Sequence, residues 1–235
     1  LSWEPKAKVA NLVWVGTRSG WRTLAVSSVR SRDCGCIVYP GAHDPRVPIS
    51  ASKRRVAVLG CTGSVGTQAL SILSDHADRF EVCLLAANTS AGGLAASAAA
   101  HRPAAACLTG TDSAPDLPAG TQWFHGADGL LEALEAANPD TVLNGITGFA
   151  GLAASEWTLR AGRTLALANK ESLVIAGDYL MGIAKESGSQ ILPVDSEHCA
   201  IFQCLDGDPD RSMRRVWLTG SGGPFRTRPL DTFAS

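Results

Sequence analysis

From Arg54 onward, runs of apolar residues alternate between two periods. Arg55-Val56-Ala57-Val58-Leu59 is a short β-rich run ended by glycine, and Ser64 to Ser74 then places Val65, Ala69, Ile72 and Leu73 at helical spacing. Glu81 to Ala86 reads as a second strand, Leu94 to His101 as an Ala-rich helix, and Ala104 to Leu108 as a third strand. Ala127 to Ala137 carries Leu130, Leu131 and Leu134 on one helical face, and Asn138-Pro139-Asp140 stops it. Thr141–Leu143 is a buried strand, Gly151 to Ala161 a helix, Thr164–Leu167 a strand, Asp178 to Ser187 a helix and Gln190 to Pro193 a strand. Strands alternating with helices predict βαβ units and an α/β fold with a doubly wound parallel sheet. Asp206-Gly207-Asp208-Pro209-Asp210 marks a surface loop.

Residues 1–53 show no sustained helical or strand period. They hold eight Lys/Arg, three acids, seven Ser and three of the six Trp. We read them as a leader, disordered or not native, with a targeting-peptide remnant as the alternative, and leave them out of the fold. The chain begins with Leu1 and stops at Ser235 without an obvious terminal signature, so the expectation is a fragment of a longer protein.

Composition narrows the function. Across 235 residues, 45% are apolar and 18% charged, which suits a folded core. Lys plus Arg number 21 against 22 acids, a formal net charge of −1, so no general polyanion-binding field exists and nucleic acid is not an expected partner. No apolar run approaches the length of a membrane span. Seven Cys without a CxxC pair argue against a disulfide framework or a zinc site and for a reducing compartment.

Five segments carry candidate chemistry. Gly60-Cys61-Thr62-Gly63-Ser64-Val65-Gly66 follows the first strand and opens the first helix, the context a dinucleotide fingerprint requires, although the spacing is GxxGxxG. Glycines admit a pyrophosphate to the backbone, and the helix N-terminus favours its charge. A tight strand-to-helix turn is the plain alternative. After the second strand stand Asn88, Thr89 and Ser90, neutral donors without the acid that holds a ribose 2′-hydroxyl, which favours NADP; an ordinary polar loop is equally open. Asn169-Lys170-Glu171-Ser172 follows the strand Thr164–Leu167, where Lys can anchor an anionic oxygen and Asn can bond a nicotinamide or ribose; alone it also reads as a helix N-cap. Asp195 and Glu197, two apart on an extended segment, would point the same way and share a hard cation, Mg²⁺ or Mn²⁺; alone they also read as a helix start. The run Thr219 to Phe225, containing Ser221, reads as a phosphate cradle or a plain turn.

In this order, GCTGSVG, LANKESLV, LPVDSEHCAIFQ and LTGSGGPFR resemble the 1-deoxy-D-xylulose 5-phosphate reductoisomerase family over residues 54–235. The resemblance implies a Rossmann-like NADPH-binding domain over 54–187, followed from 188 to 235 by the beginning of an α+β catalytic domain. It implies NADPH contacts at Gly60, Thr62, Gly63, Ser64, Val65, Asn88, Thr89, Ser90, Asn169 and Glu171. Lys170, Ser196 and Ser221 would contact a sugar phosphate substrate, and Asp195 and Glu197 would be catalytic metal ligands. The implied reaction is NADPH- and metal-dependent rearrangement and reduction of 1-deoxy-D-xylulose 5-phosphate to 2-C-methyl-D-erythritol 4-phosphate in non-mevalonate isoprenoid biosynthesis. The implied setting is a homodimer in a bacterial cytoplasm, or a plastid. Two alternatives stay open: a non-catalytic NADP(H)-binding relic, and another Rossmann-type NADP-dependent oxidoreductase using Cys199 as nucleophile.

Overall fold

The structure, a computed structural model, describes residues 11–17, 20–26, 52–205 and 213–218, with side chains for 52–195, 197–205 and 215–217. Its strands, in chain order, are β1 (Asn11–Thr17), β2 (Gly20–Val26), β3 (Arg54–Leu59), β4 (Phe80–Ala87), β5 (Ala105–Leu108), β6 (Gln122–His125), β7 (Thr141–Asn144), β8 (Thr164–Leu167), β9 (Ile191–Pro193) and β10 (Met213–Leu218). Its helices are α1 (Ser64–Asp75), α2 (Ala91–His101), α3 (Gly126–Ala137), α4 (Leu152–Arg160), α5 (Lys170–Ser187) and α6 (Ser196–Leu205), with a 3₁₀ turn, Phe149–Gly151, leading into α4. These fall into two compact units, one spanning Pro48–Asp195 and one drawn from Leu1–Val47 together with Ser196–Ser235.

In the first unit every strand pair is parallel, in the order β6-β5-β4-β3-β7-β8-β9. Parallel sheets covered on both faces read as continuous apolar runs. β4 shows this in six successive buried residues, Val82 to Ala87. Alternate residues of β3 serve opposite layers: Ala57 and Leu59 pack with Leu130, Leu134 and Ala154, while Val56 and Val58 pack with Leu70, Leu94 and Ala98. A smaller layer joins Leu159 of α4, Leu165 and Leu167 of β8, and Leu180 and Ile183 of α5. Each fully buried Leu contributes about 1.5–3 kcal/mol relative to exposure. The chain reverses its direction of winding between β3 and β7. Ligands of doubly wound sheets bind in the crevice beyond the carboxyl ends of the strands at that reversal.

In the second unit β1 pairs antiparallel with both β2 and β10, giving the order β10-β1-β2. α6 also belongs to this unit, where Ala200 and Cys204 pack with Val216 of β10.

Four elements differ from the sequence expectation. β6 is an unexpected four-residue edge strand whose two apolar residues, Trp123 and Phe124, are adjacent and only half-buried, so no alternation announces it. α5 begins at Lys170 rather than Asp178, because Asn169 caps it and the helix continues across a break at Ala176 (φ −137°, ψ 31°). Within 1–53, where no element was expected, the structure has β1 and β2. The loops 206–210 and 219–225 lie outside the described residues.

Candidate functional site

The loop between β3 and α1 is held by its backbone. The N–H groups of Gly60 and Cys61 both donate to Ala86 O (2.8 and 2.9 Å), tying the loop to β4, and Gly63 N–H donates to Gly60 O at 3.0 Å. Two of the three glycines are forced. Gly60 sits at φ +79°, and a Cβ there would stand 2.7 Å from Gly145 O; a Cβ on Gly66 would stand 2.2 Å from Gly60 O. Gly63 is different: its φ is −80°, and its Cβ would meet only Gly60 O, at 3.3 Å.

Gly63 is the N-cap of α1, and among the described residues no side chain bonds the free N–H groups of the first turn, which also has no acid to offset the helix dipole. That leaves unsatisfied donors and a partial positive charge facing solvent, a natural seat for a phosphate oxygen. Cys61 is fully buried beneath the loop, and desolvation pushes its thiol up to about 11. It is a packing residue rather than a reactive one.

A cleft of about 180 Å³ opens over this helix end, lined on one side by Gly60, Gly63, Ser64, Val65 and Gly66, and on the other by residues 145–147 and 168–171. Six expected cofactor residues (Gly60, Gly63, Ser64, Val65, Asn169 and Glu171) share it, together with Lys170. Lys170 is exposed, with its charge free to meet an anion. Asn169, 2% exposed, is a true N-cap whose Oδ1 accepts from Ser172 N–H at 2.8 Å. The cap reading of this motif is thus seen directly, and the residue still borders the cleft.

The loop after β4 is less enclosed. Asn88, Thr89 and Ser90 are exposed at the end of β4 and do not line the cleft. Gly110 N–H donates to Asn88 O at 2.9 Å, and Ser90 is the N-cap of α2 without a side-chain bond to it. Thr62 packs toward α2: a Cβ on Gly93 would stand 2.8 Å from its Cγ2 and 2.7 Å from Ser90 Oγ. Thr62 therefore braces the glycine loop against α2.

The carboxylate pair differs from its sequence expectation. Ser196 opens α6, so Glu197 stands in a helical first turn and not on an extended segment with Asp195. The two residues also belong to different compact units. Among the described residues no three His, Cys, Asp or Glu gather as a metal site. Oxygen donors suit a hard divalent cation, but two carboxylates leave most of its shell to other ligands. Ser221 lies outside the described residues.

Sequence reasoning missed Gly145, Ile146 and Thr147, which form the wall opposite the glycine loop. The signal was present in Gly145 and Gly148, flanking a short loop after a buried strand, at the carboxyl edge where ligands gather.

A model of the 1-deoxy-D-xylulose 5-phosphate reductoisomerase family matches residues 56–177, and a model of the C-terminal domain of that enzyme matches residues 191–235. The chain is 45% identical over 186 residues to the 1-deoxy-D-xylulose 5-phosphate reductoisomerase of Xanthomonas campestris pv. campestris (strain B100), covering 76% of this chain and 47% of the relative. Among solved structures it is similar to 1-deoxy-D-xylulose 5-phosphate reductoisomerase from Zymomonas mobilis in complex with NADPH, with a TM-score of 0.69 and 40% identity over 77% of this chain and 49% of that one. It is also similar to a DOX-P reductoisomerase in complex with magnesium, with a TM-score of 0.66 and 34% identity over the same shares of the two chains. The chain spans about half the length of the curated relatives it matches.

Proposed function

The chain belongs to the 1-deoxy-D-xylulose 5-phosphate reductoisomerase family, and from that membership we propose that it carries the NADPH-binding domain (54–187) and the beginning (188–235) of the metal- and substrate-binding domain of such an enzyme. The reaction is the rearrangement of 1-deoxy-D-xylulose 5-phosphate and its reduction to 2-C-methyl-D-erythritol 4-phosphate, in non-mevalonate isoprenoid biosynthesis. The observation that carries the reading is the uncapped N-terminus of α1 at the reversal between β3 and β7, framed by glycines that leave the backbone bare. An NADPH-bound relative of the same fold supports it.

In this reading Gly60, Gly63, Ser64 and Val65 receive the pyrophosphate, with Thr62 bracing the loop. Asn88, Thr89 and Ser90 meet the adenosine ribose and its 2′-phosphate. Asn169 and Glu171 border the nicotinamide half. Lys170 anchors the substrate, with Ser196 and Ser221 as further contacts. Asp195 and Glu197 would hold Mg²⁺ or Mn²⁺, and the magnesium-bound relative supports that choice. NADPH supplies a hydride when bound, and the cation polarises substrate oxygens. The protein's own contribution is to hold the dinucleotide against the helix end and to present an ammonium to the sugar phosphate. The proposal extends to a homodimer working in a bacterial cytoplasm, a setting the bacterial sources of its relatives support.

The test is titration with NADPH followed by nicotinamide fluorescence. Saturable binding, competed by 2′,5′-ADP, is the expected result. Absence of binding would remove the reading.

A further inference from the structure

Asn144, the last residue of β7, is fully buried. Its Nδ2 donates to Gly151 O and to Ser155 Oγ, both at 2.8 Å, and its Oδ1 accepts from Ile146 N–H at 3.2 Å. Its backbone oxygen accepts from the N–H groups of Ala168 (3.0 Å) and Asn169 (3.1 Å). Asn169 completes the arrangement: its Nδ2 donates to Ile146 O and to Gly148 O (2.8 Å), and its Oδ1 accepts from Ser172 N–H (2.8 Å) and Ser172 Oγ (2.6 Å). Gly151 lies between the two amides, where a Cβ would stand 2.5 Å from Asn169 Nδ2 and 3.2 Å from Asn144 Nδ2.

Sheet packing alone does not call for an amide here, since the preceding residues of β7 are Val142 and Leu143. A buried amide is costly unless every donor and acceptor is used. Both amides meet that condition, and all but one of their partners lie in the segment 146–151 or in Ser172 at the start of α5; the exception is Ser155 of α4. Ile146 and Thr147 of that segment, with Gly145 before them and residues 168–171 leading into α5, form the cleft wall facing the glycine loop.

We propose that Asn144 is a positioning residue for the dinucleotide site. With Asn169 it clasps residues 145–151 and sets the wall against which the nicotinamide half lies. The inference rests on the NADPH reading above. In a doubly wound sheet the adenosine half runs from the first βα loop toward the second strand, here β4, and the nicotinamide half toward the other side, here β7. The clasp therefore acts on one half of the cofactor only. Asn169, with both amide groups spent on the protein, shapes that wall through the surface it presents.

The test compares NADPH with 2′,5′-ADP, a probe of the adenosine half, on the full chain and its variants, alongside hydrogen exchange of residues 145–151. Asn144→Ala should weaken NADPH about ten-fold, leave 2′,5′-ADP within about two-fold, and speed exchange in that segment, because two buried groups lose their partners. Ser155→Ala, which removes a single partner, should give a smaller loss of about three-fold with the same selectivity, and carries the test if Asn144→Ala does not fold. Unchanged NADPH affinity, or equal loss of both ligands in a folded variant, overturns the proposal. A wild-type chain that binds neither ligand overturns the functional reading instead. The clasp is then decided by exchange alone, and unchanged protection in Asn144→Ala would reject it.

Discussion

Gly60, Gly63 and Gly66 look equivalent in the sequence, yet substitution should separate them. Gly66→Ala forces a Cβ to within 2.2 Å of a backbone oxygen, and Gly60→Ala adds a left-handed φ to a 2.7 Å contact. Each is expected to lower stability by about 2 kcal/mol or more, read by urea denaturation. Gly63→Ala meets one oxygen at 3.3 Å at an ordinary φ, so its stability should change by less than about 1 kcal/mol. Its methyl would instead occupy the face a pyrophosphate approaches, and NADPH affinity should fall about ten-fold in fluorescence titration. The thiols offer a second check. Burial holds Cys61 and Cys83 at about 11 and Cys107 at about 12, so none forms thiolate near neutrality. At pH 8 a maleimide should leave all three unmodified in the native chain and label them on unfolding, as peptide mass mapping would show. At this scale the glycine loop was legible because its strand–loop–helix context is local. The role of Asn144 was not, because a lone Asn at a strand end gains its partners only when α4 and α5 are in place.

Among the elements, α4 and α5 are joined by a polar clamp. Tyr179 OH donates to Glu156 Oε1 (2.7 Å) and accepts from Arg160 Nη2 (2.9 Å), while Arg160 Nε donates to Glu156 Oε1 at 2.8 Å. The bonds from Arg160 and then Tyr179 hold the Glu156 carboxyl below its ordinary range. A carboxyl whose folded pKa is depressed adds stability above its unfolded pKa and loses it as pH falls through the folded value. Glu156→Gln should therefore lower the melting temperature modestly near neutrality, since the group is partly solvated, and the gap to wild type should close at acid pH. Most elements were readable from the sequence because their apolar periods are clean. α5 was half hidden: only the part beyond the break at Ala176 was expected, although the cap at Asn169 starts the helix at Lys170. At the carboxylate pair the backbone follows the helix-start alternative, since the residues after Val194 turn into α6.

At the scale of the molecule, the parallel sheet followed from the alternation of strand and helix, while the second unit did not. Its strands come from segments separated by the whole of the first unit, and no local pattern links them. If NADPH binds at the β3–α1 loop, a ligand concentration one hundred times the dissociation constant adds about 2.7 kcal/mol to the folded state. Hydrogen exchange should then show added protection concentrated in β3, α1, β7 and the start of α5, and a uniform change across both units would contradict the assigned site. The pairing of Val13 with Leu218 has one more consequence, for how the protein is made. On the ribosome the strands of the parallel sheet emerge one after another and can pair as they appear. β1 and β2 emerge before the parallel sheet but must wait for β10, and at about 5–20 residues per second that wait lasts on the order of ten to forty seconds. Throughout it, one side of β1 offers its backbone to any passing strand. Strands made before the parallel sheet are thus completed only after it, and a nascent chain depends on a chaperone or on speed to keep that edge vacant.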